Sequence, residues 1–316
     1  MGETIIGVDL GGTQMRAARF DARLTLLERV AEPTFAHQGR ERVITRLLDV
    51  IARVVPDDSS LAGIGISLPG PINPHEGTVV KPPNLPGWHN VPIRKIIHER
   101  FKCPTYIGND AKLAALAEAT GGAAQGYKYV LYLTISTGIG SGIIDNGRLL
   151  VGSQGLGAEA GHMIMVVDGE VLDLEQAAAG PAIARQAVAR LKRGTKSSIP
   201  DLVGGRLDDV TAKIVGEAAA SGDALAIDVL ERAGYLIGLG IASLLHVLNP
   251  QIIVVGGGVA NTGELLFAPM RKAVKEHVLD PAYCENVPIV QAALGDNVAL
   301  IGAAALAATH GGTWLP

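Results

Sequence analysis

The chain has 316 residues, of which 48% are hydrophobic and 18% charged, and its net charge is −4. That length suits two lobes or one large α/β domain with an ample core, and the composition excludes a disordered chain. A slightly acidic balance offers no broad basic face, so no nucleic-acid partner is expected; the one basic run, RLKRGTK (190–196), reads as a solvated loop. Two cysteines, Cys103 and Cys284, cannot build a disulfide framework or a four-cysteine zinc site. The N-terminal residues enter a strand pattern with no signal-peptide core, and no uncharged apolar run reaches about 18 residues. A cytoplasmic chain with no membrane partner is expected.

Along the chain, TIIGVDL (4–10) reads as a strand ended by GGT, and residues 40–54 carry a helical pattern. AGIGISL (62–68) is a second strand, ended by PGP. The proline-rich segment 69–92 is too rigid for a linker and too rich in proline for a regular element, which suggests a fixed binding loop. A short strand pattern precedes Asn109-Asp110, and a helix follows over 110–119. EATGGAAQGY (118–127) is a small-residue break. YVLYLTIS (129–136) and PQIIVVGGG (250–258) are further strands that stop at glycines, with helical patterns at 175–193, 210–220, 223–248 and 298–308. Strands ending in glycine turns with helices between them point to parallel sheets and an α/β architecture.

Three of these strand ends suit a nucleotide, two of them its phosphates. In GVDLGGT (7–13) the strand delivers Asp9, then Gly11, Gly12 and Thr13. Glycines let backbone N–H groups approach an anion, and an acidic residue at the strand end suits water-mediated Mg²⁺ binding. A plain tight turn after a strand remains the competing reading. STGIGSG (136–142) repeats the design with Thr137, Gly138 and Gly140, and VVGGGV (254–259) offers Gly256, Gly257 and Gly258 for the approach of an adenosine. Two such turns suggest two lobes that share one nucleotide. The P-loop pattern, the strict dinucleotide fingerprint and the protein-kinase motifs are all absent from the sequence.

YIGNDAKLAALAEA (106–119) sets Asn109-Asp110 ahead of an alanine-rich helix. Both residues are good helix caps; the functional reading is a carboxylate aimed at a substrate hydroxyl, as base in phosphoryl transfer. Together with SLPGPIN, PNLPGWHNVPI, NDAKLAAL, TISTGIGSGIIDNGRLLVGSQGLGAEAGH, EQAAAG, AAASGDALA and LNPQIIVVGGGV, in that order, the chain resembles the ROK family (repressor, open reading frame, kinase), and within it the glucokinases. The resemblance implies the actin-like ATPase (ribonuclease H-like) fold: two α/β lobes with an interlobe cleft. It divides the chain into a smaller N-terminal lobe, 1–118, on which a C-terminal helix (300–316) packs back, and a larger lobe, 119–299. It implies phosphorylation of the 6-hydroxyl of a hexose, best matched by glucose, with ATP as donor and Mg²⁺ as cofactor. Other ROK substrates (mannose, fructose, allose, an N-acetylhexosamine) and polyphosphate as donor are the alternatives. By the same resemblance Asp110 is the base, and Pro69, Gly70, Asn84, Asn109, Glu159, His162 and Glu175 bind the sugar. Asp9 serves Mg²⁺ through water, the glycine turns hold the nucleotide, and the protein forms homodimers or higher homo-oligomers. A sugar-sensing repressor of the same family is a different-class alternative; the start of GVDLGGT at Gly7 and the net negative charge argue against it.

EAGHMIMVVDGEVLDLEQ (159–176) admits three readings. Glu-x-x-His on a helix is a di-iron pattern, but the strip is crowded with glycines and no second copy occurs. Much of the ROK family adds three cysteines to this histidine to bind structural zinc; here that loop has no cysteine, so zinc is not expected. Val171, Leu172 and Leu174 stand near those cysteine positions, and their packing is expected to fix the loop instead. Sugar recognition by Glu159, His162 and Glu175 is the favoured reading, with Asp168, Glu170 and Asp173 as solvated loop charges. What then fixes the tautomer of His162 is not legible.

Overall fold

The computed structural model describes residues 3–57 and 60–312. The chain divides into two compact units, one of residues 1–130, 142–158 and 292–316, the other of residues 131–141 and 159–291.

The first unit opens on β1 (Thr4–Leu10), β2 (Gln14–Asp21) and β3 (Leu26–Pro33), then α1 (Arg40–Ala52) and β4 (Leu61–Leu68). Two short strands, β5 (Ile72–Asn73) and β6 (Thr78–Val79), precede α2 (Ile93–Phe101), β7 (Thr105–Asn109) and α3 (Asp110–Gly121). The sheet order is β3-β2-β1-β4-β7. β1, β2 and β3 form an antiparallel meander, while β4 and β7 run parallel to β1. The register sets Asp9 beside Ser67 and Leu68 beside Asn109, so three carboxyl ends emerge at one edge of the sheet.

Alternation along the strands explains the two faces. Ile6, Val8, Leu10, Ile64, Ile66 and Leu68 join one cluster with Val43, Leu47, Val50 and Ile51 of α1. Ile5 points the other way and packs with Leu300, Ala304 and Ala307. On that second face glycine is required by contact: a Cβ at Gly65 would lie 1.8 Å from the Ala303 carbonyl oxygen, and one at Gly7 would lie 2.2 Å from that of Leu300.

The proline-rich segment is anchored by buried Leu85 and Trp88 and by a bridge between Val79 and Val91. It holds β5 and β6, which the proline content had masked, and it leaves Asn84 exposed.

The second sheet has the order β10-β9-β8-β13-β14. Its strands are β8 (Val130–Ile135), β9 (Ile139–Asp145), β10 (Arg148–Leu149), β13 (Ile252–Gly256) and β14 (Ile289–Gln291). Between β10 and β13 come a hairpin of β11 (Ile164–Val167) and β12 (Glu170–Asp173), then α4 (Leu174–Ala178) and α5 (Gly180–Lys192). Next are α6 (Ile199–Leu202), α7 (Ala212–Ala220) and α8 (Ala224–Leu248); α9 (Glu264–His277) and α10 (Val298–Ala308) follow later.

α8 begins where Asp223 accepts from Ala226 N–H and stops where Asn249 turns left-handed, close to the expected 223–248. The helix expected over 175–193 is instead two helices. Ala179 is extended between them, because Gly180 N–H donates to Ser136 O at 2.8 Å and draws the chain toward the end of β8. The C-terminal helix expected over 300–316 spans Val298–Ala308 and turns through Gly312; residues 313–316 lie outside the described residues. Among the described residues no helix is long and apolar enough to cross a membrane.

Candidate functional site

In the first unit the sequence-expected residues gather at the carboxyl ends of β1, β4 and β7, where parallel α/β sheets bind ligands. Asp9 is the penultimate residue of β1, and its Oδ2 accepts from Arg16 Nε at 2.9 Å and Nη2 at 2.5 Å. Gly11, Gly12 and Thr13 form the turn into β2, closed by Gly11 N–H to Gln14 O at 2.9 Å. Thr34, fully buried, donates its hydroxyl to Gly11 O at 2.6 Å and its N–H to Thr13 O at 2.8 Å, so the residue that follows β3 braces the turn. Thr34 is a supporting residue that no motif in the sequence marks.

Gly12 lies against Asn84: a Cβ there would sit 2.6 Å from the Asn84 Cβ. A Cβ at Gly70 would lie 3.2 Å from Asn109 Nδ2, and Pro69 follows directly on Leu68, the register partner of Asn109. Thus the GGT turn meets the PNLPGW loop, and the PG turn meets the ND step. Asn109 is the N-cap of α3, its Oδ1 accepting from Ala111 N–H at 3.1 Å. Asp110 is the first residue of the helix and is exposed.

In the second unit Thr137 and Gly138 follow β8 in a turn closed by Ser136 N–H to Gly138 O at 2.8 Å, and Gly140 is the second residue of β9. Gly256 ends β13. Gly257, at φ 86°, abuts the end of β8; a Cβ there would lie 2.3 Å from Ile135 O. Gly258 and Thr137 line a mainly apolar cavity of about 930 Å³, together with Gly180, Thr211, Asn261 and Leu265. That volume suits an adenosine-sized ligand. Thr211 is also the N-cap of α7, which is how the sequence conceals it.

Glu159 precedes a short 3-10 turn, Ala160–His162, which is pinned by Ala160 N–H to Ser141 Oγ at 2.9 Å. Gly161 is pressed on β9, where a Cβ would lie 1.9 Å from Ile139 O. Glu175 sits in the first turn of α4, its Oε2 accepting from Ile139 N–H at 2.8 Å. His162 Nδ1 lies 3.2 Å from Asp173 Oδ2. That hydrogen bond raises the imidazole above its usual midpoint; burial opposes it, and the nearby Glu175, Asp173 and Glu159 carboxylates add to it. Glu159 and Glu175 are therefore each within electrostatic reach of His162.

Two expectations for this strip are corrected. Asp173 is no solvated loop charge: its side chain is 17% exposed, pairs with His162, and caps α4 in a reciprocal capping box with Gln176. Asp168 is also engaged, in an ion pair with Arg232, whereas Glu170 is exposed as expected. Nor do Val171 and Leu172 pack the loop as expected. Val171 is 69% exposed and Leu172 is half-buried; only Leu174 is fully buried, against Gly240 of α8. The hairpin is instead defined by its ladder, Val166 opposite Val171, and by the left-handed Asp168-Gly169 turn.

Among the described residues no group of three or more His, Cys, Asp or Glu side chains could hold a metal ion by itself. A single carboxylate beside a glycine turn, as at Asp9, suits a hard cation whose other ligands are water and phosphate.

The model of the ROK family matches residues 5–310. The glucokinase of Thermotoga maritima is 33% identical over 311 residues, 96% of each chain. The DNA-binding transcriptional dual regulator NagC of Escherichia coli is 31% identical over 311 residues, 95% of this chain and 74% of that one. Among solved structures, a ROK hexokinase from Thermus thermophilus superposes with a TM-score of 0.78 at 34% identity, covering 96% of this chain and 97% of that one. A ROK glucokinase from Streptomyces griseus, solved with glucose and AMPPNP, superposes with a TM-score of 0.79 at 30% identity, covering 96% and 98%. The mixed α/β chain with its two five-stranded sheets has the actin-like ATPase fold of these neighbours, as its motifs led one to expect. Matched by the family model from residue 5 to residue 310 and by a relative at 33% identity across nearly its whole length, the chain belongs to the ROK family.

Proposed function

We propose that this protein is an ATP-dependent sugar kinase that phosphorylates the 6-hydroxyl of glucose. The hydroxyl oxygen attacks the γ-phosphorus, the bond to the ADP oxygen breaks, and Asp110 accepts the hydroxyl proton. The products are glucose 6-phosphate and ADP.

The observation that carries this reading is the placement of Asp110 at the start of α3. Asn109 is the N-cap of α3, and Asp110 Oδ1 also accepts from Ala111 N–H at 2.8 Å, a bond that orients the Asp110 carboxylate at the start of the helix. Asp110 stands exposed in the first turn, where the helix dipole favours a negative charge, beside the ends of β1 and β4. Phosphoryl transfer needs such a base, together with positioning and charge neutralisation.

The remaining residues are assigned by their chemistry. A hexose hydroxyl donates and accepts, so amides and carboxylates suit it, and a site that pairs each hydroxyl rejects sugars lacking one. Asn84, the Asn109 amide, the backbone of Pro69 and Gly70, and Glu159, His162 and Glu175 are the proposed sugar contacts. Gly11, Gly12, Thr13, Thr137, Gly138 and Gly140 serve the phosphates, and the cavity lined by Thr137 and Gly258 serves the adenosine. Bound Mg²⁺, held through water by Asp9, supplies neutralisation of phosphate charge. The named activities of the glucokinase and hexokinase relatives support the reading, as does the glucose and AMPPNP complex of the Streptomyces griseus protein.

The test is turnover on a panel of glucose, mannose, fructose, allose and N-acetylhexosamines, each with ATP and with polyphosphate, for the wild type and Asp110→Asn. The expected result is highest kcat/KM for glucose with MgATP and loss of at least ~1,000-fold in kcat in the variant. Sugar binding without turnover would favour a sensor like the NagC relative, and wild-type turnover by Asp110→Asn would remove Asp110 as base.

A further inference from the structure

We infer that Asp173 is the positioning residue of the sugar-recognition strip: one carboxylate that orients His162 and, through α4, Glu175. This rests on the proposed sugar-kinase reading and adds to it the group that fixes two of its sugar contacts.

The two oxygens of Asp173 have different duties. Oδ2 faces His162 Nδ1 at 3.2 Å. Oδ1 accepts from Gln176 N–H at 2.7 Å, and the Gln176 side chain returns a bond to Asp173 N–H at 3.1 Å. The first bond acts on the imidazole. An ionised carboxylate only accepts, so the partner Nδ1 carries the proton and Nε2 of the neutral ring is left as an acceptor for a hydroxyl. The second acts on α4, where Glu175 stands two residues beyond the cap with Oε2 on Ile139 N–H at 2.8 Å.

The backbone brings these groups together without help from the side chains. The hairpin register sets Ile164 opposite Asp173, and Leu174 N–H donates to Met163 O at 3.0 Å, so the residues flanking His162 are tied to those flanking Asp173. Leu174, fully buried against Gly240, fixes the hinge between hairpin and helix. His162 itself has a side chain 61% exposed, so packing alone does not fix its ring. A directional hydrogen bond donated to a partner that is only 17% exposed does.

The competing account makes Asp173 a helix cap and no more. Asparagine caps as well as aspartate, but its amide can donate to Nδ1, which reverses the tautomer. The experiment therefore uses Asp173→Asn, His162→Ala and the double variant. It reads glucose affinity by calorimetry, KM and kcat by coupled assay, and the His162 tautomer by ¹⁵N NMR at a pH where the imidazole is neutral. In wild type Nδ1 should be the protonated nitrogen. Asp173→Asn should melt as the wild type does at alkaline pH, shift the proton to Nε2, and weaken glucose binding at least ~10-fold, with the larger change in KM. The double variant should bind glucose no worse than His162→Ala alone. Unchanged glucose affinity in Asp173→Asn, or additive losses in the double variant, would reduce Asp173 to a cap and overturn the inference while leaving the kinase reading intact. A wild type that binds no hexose would remove both.

Discussion

A Cβ at Gly138 would stand 2.3 Å from Oε2 of Glu175. The phosphate-type turn and the carboxylate of the EQAAAG segment are thus in contact, and glycine is needed at 138 for the carboxylate to reach Ile139 N–H. Replacing Gly138 with alanine should push Glu175 off that bond. The obstacle is the far end of a flexible side chain, so the fold should survive with a melting temperature within a few degrees of wild type. Glucose KM should rise and kcat fall, together at least ~10-fold in kcat/KM. Gly65→Ala is the contrast. Its Cβ would lie 1.8 Å from a backbone oxygen of α10, which cannot step aside, and loss of soluble folded protein is expected. Equal behaviour of the two variants in expression, melting and activity would refute the distinction.

Stability should also report the His162–Asp173 pair. The folded midpoint of His162 is raised, so its contribution is fully present below the unfolded midpoint of about 6.5 and is lost as pH rises through the folded midpoint. The melting difference between wild type and Asp173→Asn should be largest near pH 5–6 and close at alkaline pH. Its size is at most about 1 kcal/mol, because water screens a side chain this exposed. A difference that grows with rising pH would contradict the sign.

Glu118 is the least expected charge in the molecule. It is fully buried in α3 and accepts from Ala123 N–H at 2.7 Å and from Ala293 and Leu294 N–H at 3.0 Å each. It therefore ties the end of α3 to the segment entering α10. Glu118→Ala leaves three backbone donors without their acceptor and should cost about 3 kcal/mol or more, against less for Glu118→Gln, which keeps one acceptor oxygen. Urea unfolding of both variants measures this; a loss under about 1 kcal/mol in the alanine variant would mean that water replaces the carboxylate.

These cases mark where the sequence was legible. β1, β4, β8 and β13 are buried on both faces and stop at glycines or proline, so they read as unbroken apolar runs. β3 escaped notice because it is a sheet edge whose residues alternate between exposed and half-buried, with Glu28, Arg29 and Glu32 on it. α9 was hidden by Pro269 and by charges around a narrow apolar stripe. The break at Ala179 had a local signal in Gly180-Pro181, with proline in the first turn of α5, and the hydrogen bond to Ser136, distant in sequence, completes it. The candidate site residues were named from residue types at characteristic spacings. Their partnerships were not legible. Asp173 lies eleven positions from His162 in a run of acids, and only the hairpin register singles it out from Asp168 and Glu170.

Ser67 offers the last test. It is the register partner of Asp9, lies on the same face of β4 as Gly65, and is fully buried with no hydrogen-bond partner for its hydroxyl. An unpaired buried hydroxyl costs about 1–3 kcal/mol, while its removal leaves a cavity of only one oxygen atom. Ser67→Ala should therefore stabilise the fold, by about 1 kcal/mol once that small cavity is subtracted, or roughly 1–4 °C in melting temperature for a chain of this size. Differential scanning calorimetry decides it. A lower melting temperature would show that the hydroxyl is satisfied in solution, by water reaching in from the Asp9 edge of the sheet. Raised stability with reduced turnover would mean that the unpaired hydroxyl is kept for the ligand at that edge.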